Sequence, residues 1–144
     1  MQVKDVMRTE VKSVELGTSV KEAFDIMRKG RFRHLPVLDS GGKIAGIVSD
    51  RDLRNVLVIY RDPGTGAENF FATDDTTVDK IMVADPVSVA PDDDVAAAVK
   101  LIRDQQFGCL IVSENDRLVG ILSYVDLLDV LLKLLNGPDQ EIST

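Results

Sequence analysis

The 144-residue chain is poor in the side chains that carry most enzyme chemistry: it has one cysteine, one histidine and no tryptophan. A single cysteine excludes a disulfide framework and a multi-cysteine zinc or iron–sulfur site. A single histidine excludes a two-histidine metal site or catalytic dyad. Aromatics make up only 5% of the residues, and no apolar run approaches the roughly 20 residues of a membrane span. The start, Met1-Gln2-Val3-Lys4-Asp5, lacks the apolar stretch of a secretory signal. A soluble cytoplasmic protein with no membrane attachment is therefore expected.

Positive charge is also scarce. The 17 Lys/Arg stand against 24 Asp/Glu, for a net charge of −7, which argues against a nucleic-acid partner because such affinity rests on neutralising phosphates. The imbalance is uneven along the chain. Residues 1–61 hold 12 basic and 8 acidic side chains, whereas residues 62–144 hold 5 and 16. A small bound anion would find its counter-charges in the first half. With 44% hydrophobic residues and a mass of 15.8 kDa, the chain is long enough to bury a core as one domain or two very small ones.

What the sequence does have is an internal repeat. Val6-Met7-Arg8-Thr9-Glu10-Val11-Lys12-Ser13-Val14 aligns with Ile81-Met82-Val83-Ala84-Asp85-Pro86-Val87-Ser88-Val89 at an offset of 75. That offset also carries Val20, Ala23, Phe24 and Met27 onto Val95, Ala98, Val99 and Ile102, each set spaced as the apolar stripe of an amphipathic helix. It then sets Phe32-Arg33-His34-Leu35-Pro36-Val37 on Phe107-Gly108-Cys109-Leu110-Ile111-Val112. At an offset of 74, Gly46-Ile47-Val48-Ser49-Asp50-Arg51-Asp52-Leu53 meets Gly120-Ile121-Leu122-Ser123-Tyr124-Val125-Asp126-Leu127.

Each copy reads as short helix, strand, helix, strand, tight turn, strand, helix. Ser19-x-x-Glu22 predicts a capping box for the first long helix, and Asp92-Asp93-Asp94 opens its counterpart, where carboxylates suit the helix dipole and could alternatively invite Mg²⁺. Gly41-Gly42 and Asn115-Asp116 predict hairpin turns. The expected division is a first repeat over 1–60, a linker over 61–77, a second repeat over 78–136 and a tail over 137–144. The segment from Arg61 to Asn69 reads as a polar surface loop, with Phe70-Phe71 either packed at the core edge or touching a partner. The last helix, from Asp126 to Leu135, carries more apolar positions than one stripe needs, which points to a homodimer or to deeper burial.

Gly-x-x-Ser-x-x-Asp at residues 46–52 and 120–126 joins a strand end to a helix start in both copies. Ser-x-x-Asp is close to a capping box and needs no further role. A carboxylate there can also accept two hydroxyl hydrogen bonds from a ribose, and a helix start attracts phosphate.

The paired repeats, Arg33-His34-Leu35-Pro36-Val37 and the doubled Gly-x-x-Ser-x-x-Asp together resemble a cystathionine-β-synthase (CBS) domain pair, or Bateman module. The resemblance implies an α/β (α+β) fold of two tandem β-α-β-β-α repeats packed with pseudo-two-fold symmetry. It implies a non-catalytic sensor that binds AMP, ADP or ATP in clefts between the repeats, with no catalytic cofactor, and signals through conformation or assembly. Carried over, Asp52 and Asp126 would hold ribose beside Ser49 and Ser123. Ile47 and Ile121 would face base or sugar, and Met7 and Met82 would wall the clefts. Phe32, Arg33, His34, Leu35 and Pro36, with Phe107, Gly108, Cys109 and Leu110, would form the adenine-edge strands. Each Asp is expected to work with the other copy's strand, Asp126 with Arg33 and His34, Asp52 with Gly108 and Cys109.

The copies diverge where charge matters: Arg33 and His34 become Gly108 and Cys109, and Asp50 and Arg51 become Tyr124 and Val125. Two unequal sites follow, with phosphates favoured where Arg33 and Arg51 reach. Tyr124 could stack on a base or cover the helix start. Cys109, in an apolar strand without a histidine in its motif, is expected to be an inert thiol, and neither serine has a base for nucleophilic catalysis. No enzyme is expected. The alternatives are a protein-interaction scaffold with empty clefts, or a sensor of S-adenosylmethionine, NAD(H) or, distantly, Mg²⁺. An effector protein or the module's own dimer would take the output.

Overall fold

The computed structural model describes residues 1–72 and 75–137; the expected tail from residue 138 lies outside them. The chain forms two compact units, one spanning Lys12–Pro86 and the other joining Met1–Val11 to the chain from Val87 onward. They are named below by the aspartate each carries, the Asp52 unit and the Asp126 unit.

In the Asp52 unit, β1 (Val14–Glu15) leads into α1 (Val20–Gly30), then β2 (His34–Leu38), β3 (Ile44–Ser49) and the short α2 (Asp50–Arg54). Ser19 caps α1 with its Oγ accepting from Glu22 N–H at 3.1 Å, the serine half of the predicted capping box; the return bond to the Glu22 side chain is not among those of the described residues. The predicted stripe is buried: Val20, Ala23, Phe24 and Met27 are at most 1% exposed. They pack on Leu35, Val37 and Val48 of the sheet and on Leu53 of α2. The turn between β2 and β3 is braced by Asp39, whose Oδ1 accepts from Gly41 N–H and Lys43 N–H, both at 2.9 Å.

The chain after α2 differs from the expected loop. β4 (Leu57–Arg61) and β5 (Glu68–Ala72) pair as an antiparallel hairpin, so residues 61–77 hold a strand. The β-branched run before residue 61 and the aromatics after residue 67 favour strands, and Asp62–Ala67 closes the turn through Asp62 N–H donating to Ala67 C=O at 2.8 Å. Phe70 meets Phe24 edge-on with centroids 4.8 Å apart, and the Arg28 guanidinium lies 4.3 Å over the Phe70 ring. Phe70 thus packs at the core edge, while Phe71 is 56% exposed.

The Asp126 unit repeats the pattern with β7 (Ser88–Val89), α3 (Val95–Gln105), β8 (Cys109–Glu114), β9 (Arg117–Ser123) and α4 (Tyr124–Asn136). Asn115 and Asp116 both have positive φ, 51° and 63°, joining β8 to β9 by a two-residue turn as expected. The three acidic residues at the start of α3 have separate partners. Asp94 caps Ala96 N–H, Asp93 accepts from Ala90 N–H, and Asp92 pairs with Lys4 at 2.9 Å. The predicted stripe of α3 is buried at Val95 and Ala98 but not at Val99, which is 41% exposed. Phe24, its counterpart in α1, is covered partly by the hairpin, and among the described residues no hairpin follows α4.

The units are not the repeats themselves. β6 (Val83–Ala84), in the opening segment of the second repeat, pairs antiparallel with β3 and completes the four-stranded order β1-β2-β3-β6. Reciprocally, Arg8 of the first repeat bridges antiparallel to Ile121, its N–H donating to Ile121 C=O at 2.9 Å and its C=O accepting from Ile121 N–H at 3.0 Å. Val3, wholly buried, joins the core of Val89, Ala98, Leu110, Val112 and Leu122. Each repeat lends its opening segment to the sheet of the other.

Candidate functional site

The crossing segments explain the glycine of Gly-x-x-Ser-x-x-Asp. A Cβ on Gly46 would run into the Met82 side chain and come within 2.8 Å of Val83 C=O. A Cβ on Gly120 would come within 2.7 Å of Met7 Sδ and 2.9 Å of Arg8 C=O. Met7 and Met82 thus lie across the β9 and β3 glycines, each beside its own unit's core. Ile47 sits in register between Pro36 and Val83, and Ile121 between Ile111 and Arg8.

At the end of β3 the chain turns into α2 through a reciprocal cap. Ser49 Oγ accepts from Asp52 N–H at 3.1 Å, and Asp52 Oδ2 accepts from Ser49 N–H at 3.0 Å. β9 enters α4 in the same way, with Asp126 N–H donating to Ser123 Oγ at 3.2 Å and Ser123 N–H donating to Asp126 Oδ2 at 2.9 Å. The strand opposite closes the corner. Asp50 N–H donates to Arg33 C=O at 2.8 Å and Tyr124 N–H to Gly108 C=O at 3.2 Å, leaving each carbonyl a second lone pair.

The capping box accounts for only one oxygen of each carboxylate, and the other oxygens differ. Among the described residues nothing donates to Asp52 Oδ1. Asp126 Oδ1 accepts from Arg8 Nε at 2.8 Å, and Ser123 Oγ adds a third bond to the aspartate, at 2.9 Å to Oδ2. Asp126 is 7% exposed, whereas Arg8 is 64% exposed. Sequence reasoning missed Arg8. The signal was its aligned partner, since Arg8 falls on Val83 and is a charge difference between the copies.

His34 and Asp52 belong to one unit, as do Cys109 and Asp126. Burial lowers the His34 pKa below its usual 6.5; Arg33 adds to that effect, while Asp52 and Asp50 oppose it. Burial, helped by the Asp126 charge, pushes the Cys109 thiol up to about 12, so it is protonated at neutral pH and a poor nucleophile. Arg33 and Arg51 are exposed and form no ion pair among the described residues; Asp50 is instead paired with Arg54 at 2.9 Å. Leu35 and Leu110 are at most 1% exposed, inside the cores, so a ligand could meet only their main chain. Phe32 is 37% and Tyr124 45% exposed, and Phe107 packs against its unit's core.

Among the described residues no helix is long and apolar enough to cross a membrane, and no group of three or more His, Cys, Asp or Glu is placed to hold a metal ion.

The profile of the CBS domain matches residues 3–59 and 78–133, the two repeats. A CBS domain-containing protein of Dictyostelium discoideum is 31% identical, with 92% of each chain covered. Arabinose 5-phosphate isomerase of Pseudomonas aeruginosa is 34% identical over 89% of this chain, which spans only 37% of that enzyme. Among solved structures, CBSX2 in complex with AMP superposes with a TM-score of 0.75 at 24% identity, covering 93% of this chain and 98% of that one. The cytosolic domain of the Mg2+ channel MgtE in complex with ATP superposes with a TM-score of 0.71 at 30% identity, covering 90% of this chain and 48% of that one. The chain belongs to the CBS domain family, as a tandem pair of CBS domains.

Proposed function

We propose that this CBS domain pair is a non-catalytic regulatory module that binds an adenine nucleotide, with Asp52 as the principal ribose acceptor. The observation that carries the proposal is the uncommitted Oδ1 of Asp52, fixed in place by a cap that consumes only Oδ2. A ribose diol offers two O–H donors, and a carboxylate with a spare oxygen can accept them. Arg33 and Arg51, both exposed and without ion-pair partners among the described residues, supply counter-charge for phosphate. The AMP and ATP held by two proteins of the same fold support this ligand class.

A thermal-shift panel of AMP, ADP, ATP, S-adenosylmethionine and NAD tests the proposal and ranks the ligands. At 100 times Kd the bound form gains about 2.7 kcal/mol, or about 5–10 °C for a chain of this size. No shift with any adenosyl compound would leave the interaction scaffold as the reading. The homodimer belongs to the same proposal: Leu128, Leu131, Leu132, Leu134 and Leu135 of α4 are 45–72% exposed. Light scattering of wild type against Leu131→Glu checks it, a wild-type monomer at micromolar concentration ruling it out.

A further inference from the structure

We propose that Arg8 is a gate on the second ribose acceptor, so that a nucleoside enters at Asp52 but not at Asp126, and a ligand reaches Asp126 only if it carries phosphate. The inference rests on the proposal that these carboxylates bind ribose. It goes further by assigning the regulation of one of them to a residue outside the repeated motif.

The two corners place the same oxygen in opposite states. Asp52 Oδ1 has no donor among the described residues, while Asp126 Oδ1 is taken by the Arg8 guanidinium at 2.8 Å. The cause is one residue in the crossing segment. Arg8 bridges to Ile121 as Val83 pairs with Ile47, so both side chains are presented from matched positions. Only the arginine can reach and neutralise a carboxylate; valine cannot. A ribose hydroxyl is a neutral donor and competes poorly for an oxygen already held by a cation. Arg8 is 64% exposed and, among the described residues, tethered only through its main chain and this pair, so it can swing away without disturbing the core. A phosphate gives the guanidinium a second anion to bind once it leaves Asp126. Binding at Asp126 thus exchanges an Arg–carboxylate pair for an Arg–phosphate pair, and a ligand without phosphate has nothing to offer in that exchange.

Titration calorimetry with adenosine and AMP, on wild type and two variants, tests the gate. Wild type takes one adenosine per chain and two AMP, the second AMP binding about tenfold more weakly, a difference of about 1.4 kcal/mol. Arg8→Val, which gives this copy the residue of the other, opens a second adenosine site. Val83→Arg transfers the block, so that adenosine binding at Asp52 is lost while AMP binding there falls by only about tenfold, to its level at Asp126. Arg8→Lys retains the charge and should retain the preference for AMP. Two adenosine sites in wild type, or an unchanged stoichiometry in Arg8→Val, would overturn the gate while leaving nucleotide binding intact. Absence of adenosine and AMP binding in every form would overturn the underlying assignment along with it.

Discussion

The Asp52 and Asp126 units are built on one pattern and diverge at positions that the pattern leaves free. Both keep a crossing segment over a strand glycine, and both turn a strand into a helix through Ser-x-x-Asp. Phe24 is buried under a hairpin while Val99 is exposed; His34 stands where Cys109 does; Val83 stands where Arg8 does. α2 has five residues and gives way to strands, whereas α4 has thirteen and runs on through leucines. Geometry that must be right for the chain to fold is duplicated, and charge and bulk at the surface of that geometry are where the copies differ.

The largest test of this comparison is in the cores. Phe24→Ala is expected to cost about 3–5 kcal/mol, because it empties a fully buried site against Phe70, while Val99→Ala should cost below about 1 kcal/mol. Urea unfolding of both variants decides; matched losses would mean the two helices pack alike. The glycines should behave as true equivalents. Gly46→Ala and Gly120→Ala each force a Cβ against main-chain oxygen and should each lose about 2 kcal/mol in the same assay.

A smaller contrast lies at the aspartates. Asp126→Ala removes a cap and a charged hydrogen bond from Arg8 and should cost about 2 kcal/mol; Asp52→Ala removes the cap alone and should cost about 1 kcal/mol. Equal costs would mean that the Arg8 pair adds nothing.

The smallest effect is in titration. As His34 is the single histidine, its proton NMR midpoint is unambiguous and should lie below 6.5. Removing the repelling cation in Arg33→Gln should move it up, and Asp52→Asn should move it further down. A folded-state pKa below the unfolded value means that the unfolded chain takes the proton first. Stability should therefore fall as pH drops from 6.5 to the folded midpoint, and His34→Asn should flatten that decline. Cys109 has the opposite sense. Raised to about 12, it contributes stability below the unfolded thiol pKa that is lost as pH climbs towards 12, and it should resist iodoacetamide at pH 8.

Much of this architecture was legible because it is written in local patterns. Stripes at helical spacing, the Asn115-Asp116 turn and both Ser-x-x-Asp caps depend on residues a few positions apart. The exchange of opening segments was not legible. Arg8 with Ile121 and Val83 with Ile47 are bridges of one or two residues across long stretches of chain, too short to leave a periodicity. The hairpin was hidden differently, by a glycine-rich turn that dominates its composition; the runs Leu57–Arg61 and Glu68–Ala72 on either side were the usable signal. Arg8 escaped notice because its role depends on the exchange.

The exchanged segments also bear on how the molecule is made. Val3 and Arg8 are made long before their partners: Val3 N–H donates to Asp93 C=O, and Arg8 pairs with Ile121 and Asp126. The segment that carries them therefore cannot take its folded place until Asp93, Ile121 and Asp126 have been made, and closing a loop of that size is slow. Vectorial synthesis cannot finish one half before starting the other, and a fragment cut between the repeats would carry the wrong edge strand into the test tube.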